Sequence, residues 1–471
     1  MNATQCKRLL GILIFGAVLW FLPHPTEVTN SAWHLFALFA AVIVGFVLQP
    51  LPLGAVATIG ITVATLLGIV SVKTAISGFG NSTIWLIICA FLLSRAFIKS
   101  GLGSRIAYLI IRAIGRSSLR LGYAIALTDL IISPALPSAT ARAGGIIFPI
   151  IRSLSTALGS EPTDGTRKKF GAFIMQLEYQ ANCITSSIFL TAMSANLLAV
   201  ALASQTMHLT ISWGMWALAA IVPGLLSLFV MPPLLYYLFP PEIHQLPKAK
   251  QMADDALCKM GSMSRMEKVV LFVFLGALIL WATSSLTHMD ATGVGFLAVS
   301  VLLLTGVLKW DDILMEKGAW NTMVWMGALI ALADALASSG FISTFAHMAG
   351  TAIGAVGLQW VSVLIILSLI YVYTHYGFAS VNAHIGAMYA AFLAVAVVAG
   401  TPPLLAAIVF GVLSNLMGSL THYGVASAPI LFGAGYVTQS EWWKLGFIFT
   451  TINLVLWLGI GFLWWHIIGL W

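Results

Sequence analysis

The stretch Ser133–Gly145, SPALPSATARAGG, interrupts an otherwise apolar run from Leu121 to Ser153, and its reading decides the fold. Pro134 and Pro137 remove backbone donors and end a helix that starts near Leu121. Ser138 then suits the N-cap of a second helix, because a serine hydroxyl accepts from the free N–H groups of a first turn. The arms Leu121–Leu136 and Ala139–Ile151 are each shorter than the roughly 20 residues that a helix needs to cross a bilayer core. A break at membrane depth is tolerated only where protein or a water-filled cavity surrounds it. The stretch therefore predicts a re-entrant helical hairpin over 121–153. The unpaired N–H groups and positive dipole end of its returning arm suit a carboxylate. Arg142 falls one turn into that arm, where its fork of donors can neutralise an anion or hold the tip by pairing with Asp129 on the opposite arm. An ionisable group at this depth marks a functional site by default.

The rest of the chain supplies the membrane that this reading requires. Hydrophobic residues make up 60% and charged residues 8% of the 471, against roughly a quarter charged in soluble domains. Apolar runs predict about eleven spans, near 8–23, 32–50, 54–72, 83–100, 170–206, 211–239, 268–286, 291–308, 318–340, 403–433 and 445–470. With the N-terminus cytoplasmic and the C-terminus outside, all of the 22 Lys and Arg except Lys73 and Arg142 fall at cytoplasmic ends or loops. The net charge of +7 is then a topology signal, and no nucleic-acid partner is implied. Cys6, Cys89, Cys183 and Cys258 have neither disulfide-framework nor metal-ligand spacing. The first apolar run starts near Leu9, which predicts no organelle transit peptide and points to a bacterial inner membrane.

A second apolar stretch, 358–399, is broken by Thr374–His384, THYGFASVNAH, and predicts a second hairpin. Around each hairpin the sequence repeats weakly. Residues 81–107 and 321–346 match at Thr83/Thr322, Ala96/Ala335, Ser100/Ser339, Gly101/Gly340, Ser104/Ser343 and Ala107/Ala346. The copies run in opposite directions through the predicted topology, and inverted repeats with interrupted helices are the signature of alternating-access carriers whose site lies between the repeats. The fold expected is thus an all-α polytopic membrane protein. Residues 1–79 form N-terminal scaffold helices, 80–210 a first transport repeat, 211–317 scaffold helices with a cytoplasmic loop, 318–440 an inverted second transport repeat, and 441–471 a C-terminal helix.

At the second break Ser380 suits an N-cap, Asn382 offers amide hydrogen bonds, and His384 supplies a second cation or a proton-dependent switch. Two cationic groups, Arg142 and His384, fit a ligand with two carboxylates. Polar breaks follow each hairpin, at Asn182–Ser187 with Thr191, Ser194 and Asn196, and at Ser414, Asn415, Ser419 and Thr421–Tyr423. From these, Ser186, Ser187, Asn196 and His422 are candidates for extra lining, against the common role of such residues in bonding within membrane helices. Glu178 and Asp334 are read as buried acids, serving as proton or cation sites or as partners of Arg95, Arg142 or the backbone. An intramembrane enzyme is disfavoured, since HExxH, GxSxG and phosphate-loop patterns are absent from the sequence. A channel fits the inverted repeat poorly.

At SPALPSATARAGGIIFPIIRSLS from Ser133, FASVNAHIGAMYAAFLAV from Phe378 and LTHYGVASAPILFGAGYV from Leu420, the chain resembles the divalent anion:sodium symporter family, most closely its plastid 2-oxoglutarate/malate translocators and their bacterial relatives. The resemblance spans nearly the whole chain. It implies a homodimer with a static scaffold and a moving transport domain, with substrate held by Ser138, Ala139 and Thr140, by Ser380, Val381 and Asn382, and by Thr421. Symporter members carry Ser-Asn-Thr at both tips, so Ala139 and the Ser-Val-Asn of the second tip depart from a pair of ordinary sodium sites. Arg142 and His384 match the Arg and His of exchanger members, where fixed charge replaces bound sodium. The resemblance thus implies C4/C5 dicarboxylate antiport with sodium-coupled symport as the alternative, and no confident metal or cofactor. Two uncompensated cations in an empty site would also make return without cargo slow.

Overall fold

The computed structural model describes residues 2–471, side chains at 285, 349 and 352–356 excepted. Among the described residues the chain is all-helical, with only an isolated bridge between Ser117 and Gln245 outside helices and turns. Among the described residues nine helices are long and apolar enough to cross a membrane. Six of these coincide with expected spans: Ala3–Phe21, Asn30–Leu48, Ser82–Ser100, Trp213–Leu238, Lys317–Ser338 and Gln439–Ile467.

The differences have local causes. The expected span at 54–72 is a helix of only 14 residues, Leu53–Leu66, closed by Gly68 in the left-handed region (φ 69°). The run 170–206 divides into Gly171–Ile188 and Ser194–Met207, with Phe189 and Met193 extended between them. The run 403–433 likewise divides after Leu416, leaving Thr421 extended and a short helix at Ala428–Gly433. The arms of the second apolar stretch, Trp360–Gly377 and Val381–Val398, each reach 18 residues and pass the length test that the first stretch fails.

Two helices were not foreseen. Leu102–Ile114 and Phe341–Val356 each follow a long span after a glycine in the left-handed region, Gly101 at φ 78° and Gly340 at φ 80°. A side chain there would strain the turn that redirects the chain. These are the glycines paired in the internal repeat. In the loop expected to be cytoplasmic, a further helix, Pro247–Met260, packs on Leu102–Ile114. Arg105 fastens that corner: its Nε lies 2.5 Å from Glu267 Oε1, and its Nη1 donates to the Gly261 carbonyl at 2.9 Å.

The core sits where the broken helices meet. Every residue of Gly171–Ile188 is buried. This helix packs against Trp213–Leu238, Ser118–Ile132 and Pro403–Leu416. At Gly446 a Cβ would fall 2.3 Å from the Ser419 carbonyl, so only glycine lets the C-terminal helix press against the second break. Lipid offers no hydrophobic gradient between helices, so such close approaches and buried hydrogen bonds carry much of the cohesion.

Candidate functional site

The first hairpin forms as its prolines dictate. Ser118–Ile132 descends, Ser133–Ala135 tightens into a 3-10 turn, and Leu136 is extended. The Ser138 hydroxyl accepts from the Ala141 N–H at 3.2 Å, as an N-cap does. The returning arm opens as a π-helix over Ala141–Ile147 and tightens to an α-helix at Phe148. Ser138 and Thr140 are half-buried, whereas Ala139 is buried.

Arg142 is fully buried, and its guanidinium is spent on protein. Nε lies 3.0 Å from Asp129 Oδ1. Nη1 donates to the carbonyls of Leu136 (2.7 Å) and Ala192 (2.5 Å), and Nη2 to the Ser186 hydroxyl (2.7 Å). Asp129 accepts in addition from the Thr185 hydroxyl and from Asn182 Nδ2 at 3.3 Å. The expectation of two uncompensated cations is therefore corrected in this conformation: Asp129 balances Arg142. Arg142 ties the tip to the break in the next helix, because the Leu136 carbonyl belongs to one and the Ala192 carbonyl to the other. Ser194 N–H to the Pro137 carbonyl (3.1 Å) and the Thr191 hydroxyl to the Pro134 carbonyl (2.8 Å) complete the joint.

The second hairpin is built alike and satisfied differently. A 3-10 turn over Thr374–Gly377 ends the descending arm, and a π-helix over Ile385–Tyr389 again follows the tip. Ser380 occupies the N-cap position and its carbonyl accepts from His384 N–H at 3.1 Å, but its hydroxyl makes no cap bond, contrary to expectation. His375 Nε2 lies 3.1 Å from the Gly424 carbonyl, and the two histidines meet Nδ1 to Nδ1 at 3.2 Å. The carbonyl requires an N–H at His375 Nε2, so with His375 neutral its Nδ1 accepts from His384. His384 Nε2 is then left as a lone pair, without a partner among the described residues. Asn382 Oδ1, Thr421 Oγ1 and Asn415 Oδ1 are buried and unpartnered in the same way. Gly424 keeps this corner open: a Cβ there would lie 3.0 Å from both His375 Nε2 and Thr421 Oγ1. Val381 is buried against Gly418, while Ser380 and Asn382 are half-buried.

The two halves are bridged. Asn415 Nδ2 donates to Asn196 Oδ1 at 2.5 Å, and Asn196 Nδ2 in turn holds the Ser186 and Phe189 carbonyls at 2.8 and 3.0 Å. The Tyr179 hydroxyl donates to the Gly418 and Thr421 carbonyls at the second break. Ser186, Ser187 and Asn196 thus serve the frame, Ser187 by bonding the Cys183 and Val412 carbonyls. His422 joins an aromatic cluster, accepting from Trp443 Nε1 at 3.0 Å and packing 4.6 Å from the Phe432 ring. Asp334, read as a buried acid, is exposed. Arg95 lies 3.9 Å from Asp312, and the Glu178 carboxyl makes no hydrogen bond to Arg95 or Arg142. Sequence reasoning missed Tyr179, and it gave His375 and Asn415 only a place in the polar breaks, since their roles depend on which groups the fold sets opposite.

The family profile described as the sodium:sulfate symporter transmembrane region matches residues 3–471. The chain is 48% identical over its whole length to YflS of Bacillus subtilis, named as a candidate malate transporter, of which 98% is covered. It is 47% identical, again over its whole length, to the chloroplastic dicarboxylate transporter 1 of Spinacia oleracea, of which 83% is covered. Inner membrane protein YbhI of Escherichia coli is 37% identical over 100% of this chain and 99% of its own. Among solved structures, the YdaH transporter of Alcanivorax borkumensis shares the fold at TM-score 0.55 and 11% identity, covering 99% of this chain and 97% of that one. MtrF of Neisseria gonorrhoeae does so at TM-score 0.59 and 11% identity, with 97% of each chain covered. Full-length coverage by the profile and by relatives near half identical makes this chain a multi-pass membrane protein of the divalent anion:sodium symporter family.

Proposed function

We propose that the chain is a secondary carrier that exchanges C4 and C5 dicarboxylates of the 2-oxoglutarate and malate class by alternating access. The names of its relatives support the dicarboxylate class. The observation that carries the reading is the set of orphaned buried polar atoms at the second break: Asn382 Oδ1, His384 Nε2, Thr421 Oγ1 and Asn415 Oδ1. A carrier tolerates bare polar atoms in its interior when cargo completes them. Both tips contribute helix N-termini, Ser138–Thr140 and Ser380–Asn382, for the two ends of one dianion. Protonation of His384 Nε2 converts its lone pair to a donor toward a carboxylate.

Exchange follows from the same atoms. Cargo pairs them and lowers the cost of crossing the apolar barrier, whereas an empty site carries them across bare. Ala139 leaves the first tip without the amide that a sodium site of the symporter type uses, so the exchanger reading is preferred. In this proposal the carrier sits in a bacterial inner membrane, N-terminus cytoplasmic, as a homodimer in which the transport repeats move against the scaffold.

Uptake of labelled 2-oxoglutarate into proteoliposomes tests this, with vesicles empty or loaded with malate and with or without a sodium gradient. The expected result is uptake that requires internal malate and ignores sodium. Sodium-dependent uptake into empty vesicles would replace the proposal with symport.

A further inference from the structure

Glu178 is the buried acid that the dicarboxylate site leaves unused. It lies midway along Gly171–Ile188 with no exposed surface, and neither carboxyl oxygen has a hydrogen-bond partner among the described residues. Successive helix residues turn by about 100°, so Glu178 shares a face with Asn182 and Thr185. That face is directed at Asp129, to which both of those side chains donate. Gln176 and Gln180 pair with each other on the opposite face, at 3.5 Å, and offer it nothing.

The charges around it are few. Asp129 from Ser118–Ile132 and Arg142 from the first hairpin are the charged groups that act on it, and Tyr179 and Cys183 are its titratable neighbours on its own helix. Asp129 and Arg142 cancel through their 3.0 Å contact. An ionised Glu178 would add a net negative charge to a dry interior with no donor to hold it, which is heavily penalised. An acid proton removes that penalty without any new partner. A sodium ion would need several oxygen ligands, and the pairing of Asp129, Asn182 and Thr185 leaves few on this face.

We infer that Glu178 is a proton-binding site of the carrier. The moving unit crosses with Glu178 protonated, so that only its Asp129–Arg142 pair and the loaded dicarboxylate site bear charge through the barrier. When water reaches Glu178 in a conformation open to one side, loss of the proton holds the carrier there. The inference rests on the transport reading for its consequence, but the proton itself can be detected without any cargo.

Two measurements on the full-length protein test it. Infrared difference spectra of wild type and Glu178→Gln near neutral pH should show a carboxylic-acid C=O band that the substitution removes; Glu178→Asp, which keeps the acid, should shift it. Absence of the band from wild type would overturn the inference whether or not the protein carries dicarboxylates, and holds as the test even if Glu178→Gln fails to fold. In malate-loaded proteoliposomes at saturating malate, where bound cargo holds the His384 proton in place, wild-type exchange should fall by about ten-fold per pH unit above the midpoint, whereas Glu178→Gln, a permanent mimic of the neutral acid, should stay flat. An alkaline decline that persists in Glu178→Gln would assign the titration to His384 or another group and refute the role of Glu178. Wild-type vesicles that carry no dicarboxylate at any pH, with the infrared band present, would refute the proposed cargo and uphold the proton site.

Discussion

The two hairpins share a plan and differ in how it is filled. Each has a 3-10 turn closing the descending arm, an extended tip and a π-helical segment in the returning arm just behind the tip. At the first, a full cation is locked by Asp129, two carbonyls and a serine hydroxyl. At the second, a histidine pair leaves one nitrogen without a partner among the described residues, and Asn382 Oδ1 and the Thr421 hydroxyl lack one too. Similar backbone geometry therefore does not mean similar bonding: the first hairpin is closed by its own side chains and carbonyls, and the second leaves polar atoms unpaired among the described residues.

That contrast breaks most visibly at Arg142. Arg142→Ala strands Asp129 in a dry interior and should cost about 3–5 kcal/mol of stability, read as a large drop in thermal midpoint or loss of monodisperse protein. The double change Arg142→Met with Asp129→Leu removes both charges and should recover much of the midpoint, because burying a pair and burying apolar groups of similar size are nearly balanced. If the single variant is as stable as wild type and loses only transport, the two hairpins do not differ in the way described.

At the second tip the effect should move from stability to binding. Asn382→Ala and His384→Ala should raise the KM for malate exchange by about 10–100-fold, equivalent to about 1–3 kcal/mol of lost hydrogen bonding; the thermal midpoint should change little for Asn382→Ala, whereas His384→Ala also deprives the buried His375 Nδ1 of its donor and should lower it. Thr421→Val sharpens the point further. Deleting an unpartnered buried hydroxyl should leave stability unchanged or improved, yet weaken exchange by several-fold.

Ser138 and Ser380 give the finest comparison. Ser138→Ala removes a working cap and should cost about 1 kcal/mol, seen in the thermal midpoint. Ser380→Ala removes no cap bond, so its midpoint should be unmoved, and any effect should appear in KM alone.

How much of this was legible depends on the kind of information each residue carries. Pro134, Pro137 and Ser138 encode the first hairpin locally, through a missing donor and an available cap, so hairpin, break and tip could be read directly. Gly101 and Gly340 encoded their turns as well, though only their pairing was noticed. Arg142 marked itself by its cost, and Asp129 was visible as a rival partner. The choice between them depended on the Ala192 carbonyl and Ser186, which approach from a separate helix and leave no local trace. His422 and Ser187 were polar residues at breaks like Asn415 and Thr421, and their opposite fates were set by Trp443 and the Val412 carbonyl. Asp334 was misplaced because hydrophobic neighbours in sequence do not report which side of a helix faces outward.

The π-helical segments behind the two tips have a consequence for how this protein tolerates length changes. A π-helical turn holds one residue more than the α-helical turn it replaces. Removing a single residue from Ile385–Tyr389 would let the arm relax to 3.6 residues per turn and rotate everything ahead of it by about 100°. His384 and Asn382 would swing away from His375 and the Thr421 corner while the arm itself stayed helical. In this segment a deletion too small to damage the fold would be enough to misaim the tip.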